Sequence, residues 1–138
     1  MKNYLLVSVL ALMLCSQVLA QKAPYNVVFD VTSKDTVVHQ MVIRWVREIT
    51  EADPKAKVEV VFYGKSLDMI TRDKSVVAGE VMKYAAKKNV SFKVCQVAMK
   101  SNGVDNTQLL AGVQTVPDGI YEIISRQHDG WGYIKAGR

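Results

Sequence analysis

The chain is poor in the residues that cross-link, ligate metals and break elements. Its 138 residues include two cysteines, two histidines and three prolines. There is no C-x-x-C pair, so a dithiol redox centre has no basis. Cys95, His39 and His128 stand too far apart for metal-ligand spacing. No G-x-G-x-x-G, G-x-x-x-x-G-K-[ST] or H-E-x-x-H motif occurs. Neither a cofactor nor a metal is expected. Charge of one sign is not concentrated either. Basic residues are interleaved with acidic ones and Lys87-Lys88 is the tight pair, which gives no footprint for nucleic acid.

Long apolar runs are scarce, and the one present lies at the start. Lys2 supplies a minimal positive region, residues 5–14 are almost wholly apolar, and Val18-Leu19-Ala20 offers a small-residue exit before Gln21. This is the pattern of a secretory signal peptide over residues 1–20. The run is short for a membrane span, and Leu14 is too bulky to precede a lipidated Cys15. The alternative is a retained amphiphilic anchor. Cleavage after Ala20 leaves one domain over residues 21–138, long enough for a real core. It also lowers the formal net charge of +5 by one unit. The mature protein is then expected in the periplasm, with no second membrane segment. Cys15 leaves with the signal, so Cys95 has no internal disulfide partner. A lone thiol in an oxidising compartment is either buried and inert or exposed and used.

What remains alternates regularly between β and α patterns. Strands are expected at residues 26–31, 57–63, 90–94, 113–116 and 131–135. The first is apolar enough to be buried on both faces. Helices are expected at 36–51, 75–88, 96–101 and 119–128, with weaker helical turns at 66–70 and 105–110. Ser33 or Asp35, Ser75 and Asp118 are suited to cap them. Val37, Val38, Met41, Val42, Trp45, Val46 and Ile49 form the apolar stripe of the first helix. Val77, Val81, Tyr84 and Ala85 face inward from the second, and Ile120, Ile123 and Ile124 form the buried stripe of the last. Such alternation predicts a three-layer α/β/α domain around a mostly parallel five-stranded sheet.

Within that frame Cys95 holds a distinctive place. Val90, Phe92 and Val94 alternate as a strand, and residues 96–101 then suit a short helix stopped near Gly103. A thiol at a strand-to-helix handover meets backbone N–H groups and the positive end of a helix dipole, which favour a thiolate. Parallel strands also bring their carboxyl ends to one edge, where ligands bind in open α/β sheets. That edge collects Gly64, Lys65, Cys95, Gln96, Val97, Asp118 and Gly119. The N–H groups of Gln96 and Val97 could steady an anionic sulfur, Gly64 and Gly119 permit close approach, and Lys34 or Lys65 adds positive charge. Turn geometry alone would also account for the glycines, and solvation for the lysines. A Cys95–His39 pair is a further possibility; His128 reads as a surface residue at a helix end.

Three segments, C-Q-V-A-M-K-S-N-G (Cys95–Gly103), G-V-Q-T-V-P-D-G-I-Y-E-I-I (Gly112–Ile124) and Q-H-D-G-W-G-Y-I (Gln127–Ile134), resemble the DsrE/DsrF-like proteins, most closely their small exported members. The resemblance implies an α/β/α domain assembling as a homo-oligomer, a trimer or hexamer. It also implies that Cys95 matches the cysteine that accepts sulfur as a persulfide in sulfur-relay members. Those members are cytoplasmic, whereas this chain carries an export pattern. The first expectation is therefore a sulfur carrier or sulfurtransferase-like protein, exchanging sulfane sulfur with donor or acceptor proteins. The alternative is a non-catalytic oligomeric module that binds a small ligand or protein, with Cys95 structural.

Overall fold

The computed structural model describes residues 23–137. The signal-peptide pattern and Cys15 lie outside the described residues. Five strands form one sheet: β1 (Asn26–Val31), β2 (Lys57–Phe62), β3 (Val90–Cys95), β4 (Gln114–Val116) and β5 (Gly132–Ala136). Their order across the sheet is β4-β3-β2-β1-β5, and every pairing is parallel. The sheet is thus wholly rather than mostly parallel. Four helices connect the strands: α1 (Thr36–Ala52), α2 (Ala78–Ala85), α3 (Gln96–Ser101) and α4 (Gly119–His128), with 3₁₀ turns at Ser66–Ile70 and Asn106–Gln108.

The first four strands step outward in one direction, and the chain then returns past three of them to place β5 beside β1. This return sends α4 to the opposite face from α1 and α2, since strand crossovers keep one hand. Strand alternation therefore separates two unequal cores. Val27, Phe29, Val31, Val58, Val60, Phe62, Phe92 and Val94 face the large one, where α1 contributes Val42 and Val46 and α2 contributes Val81. The rings of Phe62 and Phe92 stack there at 6.2 Å. On the other face only Val28, Val61 and Ile123 form the buried cluster, with Tyr63 and Trp131 against it.

Several boundaries and faces differ from expectation. α2 begins at Ala78, not Ser75, because the Ser75 hydroxyl binds the Met69 carbonyl at 2.5 Å and accepts from Val77 N in the preceding turn. Asp35, not Ser33, caps α1 through Val37 N at 2.9 Å. Val113 falls outside β4, Tyr63 outside β2, and Trp131 outside β5, which instead extends to Ala136. The largest difference concerns α4. Ile123 is 6% exposed, but Ile120 and Ile124 are 56% and 55% exposed. A helix alone on its face has one stripe to bury, and residues 119, 122, 123 and 126 fill it. Val37 is likewise exposed, in the first turn of α1.

Candidate functional site

Cys95 closes β3 and occupies the position just before α3, with extended backbone (φ −67°, ψ 121°). Alternation along β3 turns Ser91 and Lys93 toward α4; at the strand's end Cys95 touches both sides, packed with the large core and against Gly119 of α4. The thiol residue is 5% exposed. It lines a cleft of about 490 Å³ at the carboxyl edge, a size suited to a small organic ligand or an extended peptide.

The cleft brings together Cys95, Val97, Gly64, Lys65 and Asp118. Gly119 instead packs against the β-carbon of Cys95: a Cβ built there would meet Cys95 Cβ at 3.0 Å and Val61 Cγ1 at 3.3 Å. Its lack of a side chain lets the first turn of α4 approach the thiol. Gly64 has φ of 64° at the turn after β2, a conformation that favours glycine. Gln96 does not join the cleft wall, because its amide donates to Thr115 Oγ1 at 3.2 Å. Lys34 is also absent from the wall. Asp118 caps α4, accepting from Ile120 N at 2.8 Å and Tyr121 N at 3.3 Å.

Tyr63, Ala98, Ser101, Asn102 and Ile120 complete the wall. Asn102 is a helix stop in the sequence, yet its amide also donates to the Gly64 carbonyl at 2.9 Å, tying α3 to the loop after β2. No local pattern marks that tie; it depends on which strands are neighbours. His39 is buried, its Nε2 donates to the Ser33 carbonyl at 2.9 Å, and it is not among the residues that line the cleft with Cys95. His128 is exposed beside Asp129. Among the described residues no cluster of His, Cys, Asp or Glu could hold a metal, and no helix is long and apolar enough to cross a membrane.

Beneath the cleft, the α4 side of the sheet is polar. Lys93 Nζ lies 3.0 Å from Glu59 Oε2 and 2.7 Å from Glu122 Oε1; Arg126 closes the ring at 3.1 Å and 2.9 Å to the same two oxygens. Burial pushes the Glu59 carboxyl up from its ordinary range, against the pull of the two cations. Burial would also raise Glu122, but hydrogen bonds and charge from Lys93 and Arg126 outweigh it and hold the carboxyl at about 2. Beside this ring, Asp30 accepts from Tyr133 Oη at 2.6 Å and Lys135 Nζ at 3.0 Å. The Tyr133 bond to Asp30 pushes that phenol up to about 12. Burial raises Tyr63 too, so both phenols stay neutral near pH 7.

The ring gives a pH signature. A carboxyl held below its unfolded value contributes stability above that value and loses it as pH falls through the folded value. Glu122 should therefore make the urea midpoint fall between about pH 4.5 and about 2. Glu59, shifted upward, contributes fully below 4.5 and adds no slope there. Unfolding curves across that window check this, and Glu122→Gln should flatten them.

A model of the DsrE/DsrF-like family matches residues 26–136. Among solved structures, a protein of unknown function from Methanobacterium thermoautotrophicum, MTH1491, is 32% identical with a TM-score of 0.75, covering 80% of this chain and 98% of that one. The YchN protein of E. coli is 12% identical with a TM-score of 0.64, covering 81% and 98%. A conserved protein of unknown function from Bacteroides thetaiotaomicron, BT1422, is 16% identical with a TM-score of 0.64, covering 80% and 94%. The last two likenesses are of fold alone. No curated protein matches the chain.

Proposed function

The chain belongs to the DsrE/DsrF-like family, which is linked to sulfur relay, and from that premise we propose that it carries sulfane sulfur as a persulfide on Cys95. The observation that carries the reading is the placement of Cys95. It lines the carboxyl-edge cleft where β3 passes into α3, with the first turn of α4 against it. In the transfer, the Cys95 thiolate attacks the outer sulfur of a donor persulfide R–S–SH. The Cys95 Sγ–S bond forms, the donor S–S bond breaks, R–S⁻ leaves, and Cys95 becomes Cys–S–SH. A partner thiolate reverses the sequence and removes the sulfur. Lys65 supplies the positive charge in the cleft wall, while the Asp118 carboxylate is engaged with α4 N–H groups. The compartment would be the periplasm, on the export pattern of residues 1–20.

Thiol accessibility separates this reading from that of a binding module with a structural cysteine. In the carrier, a maleimide labels native Cys95, and after polysulfide treatment the label sits on the added sulfur, so a thiol reductant releases it. Labelling that occurs only after denaturation would favour the module.

The exposed Val97 and Ile120 flank the cleft, and Tyr121 and Ile124 continue the apolar surface along α4. We take this surface, with the family membership, as support for a homo-oligomer. Light scattering at micromolar concentration should give a trimer or hexamer; a monomer would contradict it.

A further inference from the structure

The small core under α4 does little to fix where that helix sits. Ile123 on Val28 and Val61 is its buried apolar contact, and Ile120 and Ile124 face outward. One apolar side chain lets a helix slide and roll. The charged ring does not, because two of its ion pairs, Lys93–Glu122 and Arg126–Glu59, cross from the sheet to the helix. Lys93 and Glu59 come from β3 and β2, and Glu122 and Arg126 come from successive turns of α4. Their side chains are 14%, 3%, 18% and 27% exposed. Glu59 Oε2 also accepts from Ser91 Oγ at 3.2 Å, while its Oε1 is buried without a partner. Such a cluster costs desolvation that an apolar contact would not, and specificity of register is its best-attested use.

The register it sets reaches Cys95. Lys93 and Cys95 are two residues apart on one face of β3, about 6.6 Å along the strand. Gly119 and Glu122 are one turn apart on α4, about 4.5 Å along the helix. Gly119 rests on Cys95 and Glu122 on Lys93, so the two contacts are adjacent rungs between the same helix and strand.

We infer that the Lys93–Glu122 contact sets the first turn of α4 over the Cys95 thiol, making Glu122 a positioning residue for the sulfur chemistry. This rests on the carrier reading of Cys95. The test compares rates of Cys95 modification by iodoacetamide and by fluorescein maleimide, in the full chain carrying Cys15→Ser, well below its melting temperature. Glu122→Ala removes the contact and frees the first turn, so the bulky reagent gains on the small one by about fivefold or more, the low end of coupling between sites. Glu122→Gln keeps an acceptor for Lys93 and should restore the wild-type ratio. If Glu122→Ala does not fold, Glu122→Asp, one methylene shorter, shifts the ratio in the same direction. An Ala variant that melts lower with an unchanged ratio overturns the inference, as does a Gln variant that behaves like Ala. Should wild-type Cys95 react with neither reagent, the carrier reading fails on its own. Glu122→Ala must then switch labelling on, and its silence would sink the positioning role too.

Discussion

Replacing Gly119 by valine should destabilise the domain and remove sulfur uptake together, whereas Gly119→Ala should do far less. The alanine Cβ would meet Cys95 Cβ at 3.0 Å and Val61 Cγ1 at 3.3 Å, a squeeze that a shift of a few tenths of an ångström relieves. Gly119 is the first residue of α4, so the preference of a helix interior for alanine over glycine, about 0.8–1.0 kcal/mol, is at most an upper bound on what offsets the strain there. Valine adds two γ-methyl groups to the same space. Forcing extra methylenes into a close-packed contact costs about 1–3 kcal/mol. For a domain of this size each kcal/mol lowers Tm by about 4 °C. The added methyl groups also crowd the sulfur, so native maleimide labelling should fall at least tenfold, or about 1.4 kcal/mol in barrier. A valine variant that melts and labels like wild type would show that α4 does not rest on the thiol.

The second large effect is expected from Cys95→Ser. The change preserves size and removes the nucleophile. Cys95 is 5% exposed, so the hydroxyl enters a nearly dry position. An unpartnered buried hydroxyl costs about 1–3 kcal/mol, which a domain with this core can absorb. The serine protein should therefore keep its circular dichroism spectrum and its oligomeric state while losing all sulfur uptake. Loss of fold with the thiol would mean that Cys95 serves the core alone.

The parallel α/β frame and the thiol at its carboxyl edge were legible because they rest on short-range patterns. Alternation along residues 90–94, the change to helical spacing at Gln96, and the Asp118 cap all lie within a few residues of one another. The exposure of Ile120 and Ile124 was not legible. Helical spacing identifies an apolar stripe but not how many elements will cover it. The return of the chain from β4 to β5 leaves α4 alone on its face. The ring of Glu59, Lys93, Glu122 and Arg126 left traces that pattern reading passes over. Glu59 and Lys93 each interrupt an apolar strand on the α4 side, and Glu122 and Arg126 are spaced one helical turn apart. Only strand order makes these four side chains neighbours. The role expected of Gln96 rests on its backbone N–H beside the thiol; its side chain, which no local pattern directs, turns to Thr115 on β4.

The account stands most directly on the mass of the native protein after exposure to polysulfide. With Cys15→Ser, so that Cys95 is the sole thiol, the intact chain should gain mass in steps of one sulfur atom. Dithiothreitol should reverse the gain, and adding Cys95→Ser should abolish it. A native chain that takes up no sulfur, or a gain that survives Cys95→Ser, would contradict the persulfide carrier.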